Sequence, residues 1–182
     1  MWEVRLIGNL YLHEFMTNWL ITGGCGFIGT ALISAIRQVY PQDRIRVLDN
    51  LSGSSRDDLS KACDFVEVPA ESEKQEGNGV DQAPESMNGQ SHLVEFIQGD
   101  ITDASACRKA AANCEVIIHL AANTGVGPSI SDPKKDMNSN VNGILNMLEA
   151  ARENKVPRFI FASSNAPVGE TCPPLHEEIA PH

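Results

Sequence analysis

The sequence lacks the features that mark several common classes of protein. Its 14 lysine and arginine residues are outnumbered by 24 aspartates and glutamates, and the formal net charge is −10. Such a chain is repelled by the phosphates of nucleic acids and by anionic lipids, so we expect neither nucleic acid nor a membrane as a partner. No apolar run is long enough to cross a bilayer. An anionic ligand would have to be held by local hydrogen-bond donors.

Metal-ligand and disulfide patterns are also missing. The five cysteines are scattered, with no Cys-x-x-Cys pair and no histidines at zinc-ligand spacing, so we expect no metal site. We interpret the thiols as the reduced cysteines of a cytoplasmic protein. Residues 1–16 include Glu3 and Glu14 and have no long uncharged core, which argues against a signal peptide. We interpret them as an N-terminal extension, followed by one domain at 17–182.

Short apolar runs alternate with segments of helical periodicity along this domain. They predict strands at 19–22, 44–49, 93–98, 116–120 and 158–161, and helices at 27–39, 57–62, 104–112 and 137–154. This alternation is typical of an α/β fold, a doubly wound parallel sheet of the Rossmann type with helices on both faces. We expect a loop at 121–133 and a polar surface insertion at about 70–91. The apolar face of the last helix is predicted to comprise Val141, Ile144, Leu145, Leu148 and Ala151.

The most informative segment is Thr22 to Gly29, which reads Thr-Gly-Gly-Cys-Gly-Phe-Ile-Gly. Its glycines fit both G-x-G-x-x-G and G-x-x-G-x-x-G, spacings that let backbone N–H groups approach a phosphate. The helix that follows directs its positive end at the same place. A glycine triplet alone is a weak signal, but here a strand precedes it and a helix follows. The segment therefore predicts a pyrophosphate-binding turn.

Asp49 strengthens this prediction because it ends the second predicted strand, about 20 residues after Gly29. A carboxylate at this place accepts hydrogen bonds from the ribose hydroxyls of an adenosine and repels a 2′-phosphate. Asn50 follows Asp49, with no arginine immediately after. The pattern favours NAD over NADP, and Arg56 is the residue that would reverse this preference.

Further motifs follow in a defined order: Gly99-Asp-Ile101, His119-Leu-Ala-Ala122, Asn140-Val-Asn-Gly143 and Phe161-Ala-Ser-Ser164. With the glycine turn and Asp49, they make the chain resemble the extended short-chain dehydrogenase/reductase family, in particular its sugar-nucleotide epimerases and dehydratases. The resemblance covers most of the chain from residue 17 onward. It implies NAD as cofactor, a nucleotide-sugar substrate, a homodimer, and oxidation of a sugar hydroxyl by hydride transfer to NAD.

The resemblance also assigns individual roles. It implies that Asp100 and Ile101 lie at the adenine, that Asn140 reaches the loop after the fourth predicted strand, and that Ser164 hydrogen-bonds the reacting hydroxyl. The residues alone favour a helix cap or turn residue at Asp100 and an exposed helix position for Asn140. For Ser164, a serine that satisfies a strand-end turn is a serious alternative. The predicted cofactor-binding residues are Gly23, Gly26, Phe27, Ile28, Gly29, Asp49, Asn50, Asp100, Ile101, Leu120, Ala121, Ala122, Asn140 and Ser163.

The family's proton-transfer pair, Tyr-x-x-x-Lys, does not occur in this sequence. Tyr11 is followed four residues later by Phe15, and Tyr40 by Arg44. In relatives the pair lies beyond the position that corresponds to His182, so we expect an incomplete NAD-binding domain that is not catalytic alone. The alternative is a dinucleotide-binding sensor or partner subunit without catalysis. The downstream sequence of the gene separates the two hypotheses.

Overall fold

The computed structural model describes residues 16–69 and 94–164. The expected insertion at 70–91, residues 1–15 of the expected N-terminal extension and the segment 165–182 lie outside the described residues. The described elements, in chain order, are β1 (Asn18–Thr22), α1 (Phe27–Val39), β2 (Arg44–Asp49), α2 (Arg56–Ser60), β3 (Phe65–Glu67), β4 (Val94–Gln98), α3 (Ala104–Ala110), β5 (Val116–His119), α4 (Val126–Ser131), α5 (Pro133–Met137), a π-helical turn (Asn138–Asn142), α6 (Gly143–Glu153) and β6 (Arg158–Phe161).

All six of these strands pair in parallel, in the order β3-β4-β2-β1-β5-β6. β1 lies between β2 and β5, so the chain builds outward from β1 first in one direction and then in the other. This is the topological switch point at which open α/β sheets form a ligand crevice, at the carboxyl ends of the strands. The predicted doubly wound fold is confirmed, and Thr22, Leu48 and His119 lie side by side at its switch point.

Helices cover both faces of the sheet and enclose two apolar clusters. One cluster contains Leu20, Ile117 and Met147, and the other contains Ile21 and Phe96. Leu20 and Ile21 fall in different clusters because successive side chains of a strand point to opposite faces. Each such fully buried side chain contributes about 1.5–3 kcal/mol to the free energy of folding. The core thus holds the carboxyl ends of β1, β2 and β5 in a fixed arrangement.

Three short elements differ from the prediction. The strand β3 was not predicted, and the prediction of a loop at 121–133 is wrong where α4 forms. α5 also begins before the predicted start of its helix, because Asp132 caps it. The Asp132 carboxylate accepts the Lys135 N–H at 3.0 Å, and Pro133 occupies the first turn.

The predicted apolar face of the long helix is wrong at three positions. Val141, Leu145 and Leu148 are exposed, whereas α6 buries smaller residues together with one methionine: Gly143, Met147, Ala150 and Ala151. These residues share a cluster with Ala110 and Ala111 at the end of α3. Small side chains on both helices allow a close approach, and the larger apolar residues of α6 are left on the outside.

Candidate cofactor-binding site

The glycine turn is packed tightly between β2, the loop after β5 and α1. Gly23 has a positive φ of +69°, and a Cβ at this position would lie 2.8 Å from the backbone nitrogen of Ala121. A Cβ on Gly29 would lie 2.6 Å from the carbonyl oxygen of Gly23 and 2.5 Å from the Cα of Gly24. All three distances are shorter than any ordinary contact. Glycine is therefore required at both positions for the turn to keep this shape.

The amino terminus of α1 is open to a ligand. Gly26 is its N-cap and offers no side chain to the first-turn amides. Phe27 and Ile28, the first two helical residues, are 92% and 64% exposed. The first N–H groups of a helix have no partner within the helix, and they carry the positive end of its dipole. The end of α1 thus suits a pyrophosphate.

Asp49 ties the end of β2 to the glycine turn. One carboxylate oxygen, Oδ2, accepts the Cys25 N–H at 3.0 Å, while Oδ1 accepts the Leu51 N–H at 2.8 Å and the Ser54 hydroxyl at 3.3 Å. A carboxylate has about four acceptor sites, so these bonds leave capacity for a ribose hydroxyl. The predicted ribose carboxylate is thus also part of the scaffold of the turn.

Asn50 and Asp100 meet across the carboxyl ends of β2 and β4. The Asn50 amide donates to Asp100 Oδ2 at 2.7 Å, and the N–H and hydroxyl of Thr102 both donate to Asp100 Oδ1 at 2.8 Å. Burial raises the pKa of Asp100, but the hydrogen bonds from Asn50 and Thr102 outweigh it, and the net pKa is lowered. Ile101 lies in the core, and its carbonyl accepts from Asn146 at 2.9 Å.

Thr22 and His119 link the carboxyl ends of β1 and β5. The Thr22 hydroxyl oxygen lies 2.8 Å from His119 Nδ1 and accepts the Ala121 N–H at 3.2 Å. The hydroxyl has one proton and two lone pairs, so it can donate to Nδ1 or accept from it, depending on the tautomer of the ring. Burial lowers the pKa of His119 to about 4, consistent with a neutral ring. The backbone of Ala121, one of the predicted cofactor contacts, is fixed by this link.

Asn140 reaches the loop after β5, as the resemblance implies. Its Oδ1 accepts the Asn123 N–H at 2.8 Å, and its Nδ2 donates to the Asn123 carbonyl at 2.9 Å. The π-helical turn that contains Asn140 is a rare element that often marks functional sites. Leu120 and Ala121 are half-buried and Ala122 is exposed in the same loop. Their contacts with a cofactor stay predictions.

Ser163 and Ser164 follow β6 and are exposed at the same end of the sheet. The segment is held beside β5 by the Ala162 N–H, which donates to the His119 carbonyl at 3.2 Å. The catalytic role predicted for Ser164 stays a prediction.

Arg56, the cation that would favour NADP, is bound by other side chains of the protein. Its guanidinium pairs with the Glu67 carboxylate, donates to Gln98 Oε1 at 2.7 Å, and lies 5.5 Å from the centre of the Phe96 ring. Gln98 is the register partner of Asp49 on the neighbouring strand. Arg56 is therefore held close to the end of β2 by groups other than a ligand.

A cleft of about 490 Å³ extends from the glycine turn between α1 and α2, and Gly26, Phe27, Ser54 and Lys61 are among its lining residues. Sequence reasoning missed Ser54, Thr22 and Asn123 as parts of the site. Asn123 comes directly after Ala121 and Ala122, which are predicted cofactor contacts, and this adjacency in the sequence is the signal that could have identified it.

In the described ranges, no helix is long and apolar enough to cross a membrane, and no group of three or more His, Cys, Asp or Glu side chains is placed to hold a metal.

Comparison with known proteins agrees with this geometry. A model of the NAD dependent epimerase/dehydratase family matches residues 19–182. The chain belongs to this family. NAD is the family's cofactor, and the residues around the glycine turn fit it because the open end of α1 and the Asp49 carboxylate lie together.

Individual members of the family are distant relatives. A UDP-glucose 4-epimerase of Erwinia amylovora is 30% identical over 164 residues, which are 89% of this chain and 41% of the relative. A dTDP-glucose 4,6-dehydratase of Mycobacterium tuberculosis is 28% identical over 75% of this chain and 33% of the relative. The crystal structure of a dTDP-glucose 4,6-dehydratase of Streptomyces venezuelae with NAD bound has a TM-score of 0.67 at 26% identity, covering 91% of this chain and 45% of the other. The chain spans less than half of the length of each.

Proposed function

We propose that this chain binds NAD(H) and is the nucleotide-binding part of a sugar-nucleotide epimerase or dehydratase. The observation that carries the proposal is the bond between the Cys25 N–H and Asp49 Oδ2, which joins the glycine turn predicted to bind phosphate to the carboxylate predicted to bind ribose. The first amides of α1 would hold the pyrophosphate, and Asp49 would accept from the adenosine ribose. Asn50 and Asp100 would face the adenine. NAD, when bound, accepts a hydride from the substrate.

The loop after β5 and the end of β6 would serve the reacting half of the site. The backbone of Ala121, fixed by Thr22, would lie along the central part of the cofactor, and Asn140 would hold this loop in place. Ser164 would hydrogen-bond the sugar hydroxyl that loses its hydride. The sequence contains no Tyr-x-x-x-Lys pair to remove the hydroxyl proton. We therefore propose that this chain binds the cofactor without catalysing turnover.

Titration of NADH fluorescence tests the proposal. We expect the chain to bind NADH, and Asp49→Ala to weaken binding by about tenfold or more, since hydrogen bonds to a charged group are worth about 1.5–3 kcal/mol. Asp57→Ala is the matched control, because Asp57 is an exposed acid on the adjacent helix α2. The melting temperature of each variant separates lost binding from lost fold. Absence of NADH binding by the unsubstituted chain would contradict the proposal.

A second candidate is a dinucleotide-binding sensor or partner subunit that is not part of an enzyme. The absence of a Tyr-x-x-x-Lys pair from this sequence favours it as well. A Tyr-x-x-x-Lys motif in the gene downstream of His182 would support an enzyme, and a stop codon there would support the binding subunit. Steady turnover of a UDP- or dTDP-sugar by the purified chain would contradict both.

We also propose self-association through the exposed apolar residues of the long helix. Met137, Val141, Leu145 and Leu148 are 53%, 56%, 54% and 44% exposed and follow one another at helical spacing. A second copy is the partner that the resemblance implies. Sedimentation of the chain beside a Leu145→Glu, Leu148→Glu double variant tests this proposal, and we expect the variant to be monomeric. A cytoplasmic location is proposed with it, since the four cysteines among the described residues are free thiols.

A further inference from the structure

Asp136, on α5, is the centre of a hydrogen-bond cluster that the proposed roles do not use. Its Oδ1 accepts from the Asn123 amide at 3.0 Å, the Ser129 hydroxyl at 2.7 Å and the Asn140 amide at 3.1 Å. These donors come from three different elements: the loop after β5, the helix α4 and the π-helical turn. One carboxylate oxygen thus joins three segments on the same side of the sheet.

The cluster determines which way the Asn140 amide points. Its Nδ2 has two protons, and the structure directs one to the Asn123 carbonyl and the other to Asp136. With both donors used in this way, Oδ1 faces the Asn123 N–H and accepts from it. A flipped amide would set a donor against that N–H and would leave the carboxylate without one of its partners.

The Asn123 side chain is fixed by the same oxygen. Its backbone is held by Asn140 through two bonds and its side chain by Asp136 through a third. The hydrogen bonds from Asn123 and Ser129 lower the pKa of Asp136, so the carboxylate is ionised near neutral pH. Charge-assisted bonds of this kind are stronger than those between neutral groups.

We propose that Asp136 is a positioning residue for cofactor binding: it holds the loop after β5 against the π-helical turn through Asn123 and Asn140. This inference rests on the proposed NAD(H) binding, because the loop is the segment that would lie along the central part of the cofactor. Asp136 itself does not touch the cofactor in this proposal. Its effect is on the cofactor's reacting half and not on the adenosine half, which lies at Asp49.

Comparing two ligands distinguishes a positioning role from a general structural one. ADP carries the adenosine and pyrophosphate that would occupy the glycine turn and Asp49, whereas NADH also extends past the loop after β5. We expect Asp136→Ala to weaken NADH binding by about tenfold, which corresponds to about 1.4 kcal/mol, and to change ADP binding by less than about twofold. Equal losses for both ligands, or unchanged NADH binding, would overturn the inference.

The conservative variant provides a rescue. Asp136→Asn retains an oxygen at the position of Oδ1, which receives all three donors, so we expect it to keep NADH affinity within about threefold of the unsubstituted chain. Asp132→Ala is the control for damage to α5, because Asp132 caps that helix without contacting the cluster. If Asp136→Ala does not fold, Asp136→Ser provides the same comparison, because its side chain is too short to reach all three donors.

Hydrogen exchange tests the inference without any ligand. The Asn123 N–H should exchange faster in Asp136→Ala than in Asp136→Asn, because opening of the loop exposes it. Equal exchange in the two variants would overturn the inference. Failure of the unsubstituted chain to bind NADH would overturn the proposed function, while the exchange result would still decide whether Asp136 holds the loop.

Discussion

The strands on the two sides of β1 differ in how completely they are buried. On the β2 side, Val47 of β2 and Phe96 of β4 are fully buried and share a cluster with Ile33 of α1. On the β6 side, Ile160 and Phe161 are about half exposed, at 52% and 51%, and Ile130 of α4 is 75% exposed. The strand beside the proposed adenosine site is thus buried, whereas the strand beside the proposed substrate site presents exposed apolar side chains.

Substitution of glycine should have the largest effect, and its size should differ between the two sides. Gly29→Ala on the β2 side would place a Cβ 2.5 Å from the Gly24 backbone. We therefore expect the free energy of unfolding to fall by about 3 kcal/mol or more and NADH binding to be lost. Gly127→Ala on the β6 side meets nothing within 4 Å and should leave stability unchanged or slightly improved. Urea unfolding measures both, and similar losses would contradict the comparison.

His119 lies where the two sides meet, with Thr22 on one side and the Phe161 ring at 6.0 Å on the other. Its folded pKa, about 4, is below its unfolded value near 6.5, so the unfolded state binds the proton first as the pH falls. This stabilisation is present above about pH 6.5 and decreases toward pH 4. From about pH 7.5 to about pH 5.8 we expect a loss of about 1 kcal/mol.

Urea unfolding at the two pH values checks this prediction. His119→Asn is the control, since its amide can pair with the Thr22 hydroxyl as donor or acceptor but does not titrate. The variant should lose less stability than the unsubstituted chain over the same interval. An identical pH dependence in both proteins would show that other groups cause it.

The smallest effect is expected at Arg56, on the β2 side. Glu67→Gln removes the charge that holds the guanidinium, and we expect the affinity for NADPH relative to NADH to rise by about threefold, since an exposed ion pair is worth about 0.2–1 kcal/mol. Glu95→Gln is the matched control, because Glu95 pairs with Arg46 instead. The gain should vanish in an Arg56→Ala background. An unchanged ratio of affinities would show that Arg56 does not reach the ribose.

The glycine turn and Asp49 could be predicted best from the sequence. The turn at 22–29 and Asp49 follow from local spacing, because a strand, a glycine turn and a helix are contiguous there. β3 could not be predicted, since a three-residue strand forms only by pairing with β4, which lies far along the chain. α4 depends on Ser129, whose hydroxyl bonds to Asp136 in the next helix. Periodicity located the long helix, but the small residues of α3 determined which of its faces is buried.

The bonds of Asp49 have a consequence for engineering. A designer who wants this scaffold to accept NADP would begin by replacing the acid at the end of β2, since that acid opposes a 2′-phosphate. Here the same carboxylate accepts from the backbone of Cys25 and Leu51, so its removal would loosen the glycine turn to which we assign the pyrophosphate in the proposed function. A substitution of Asp49 that changes the cofactor preference would therefore also change the stability of the turn. A successful redesign must supply a new acceptor for the Cys25 N–H.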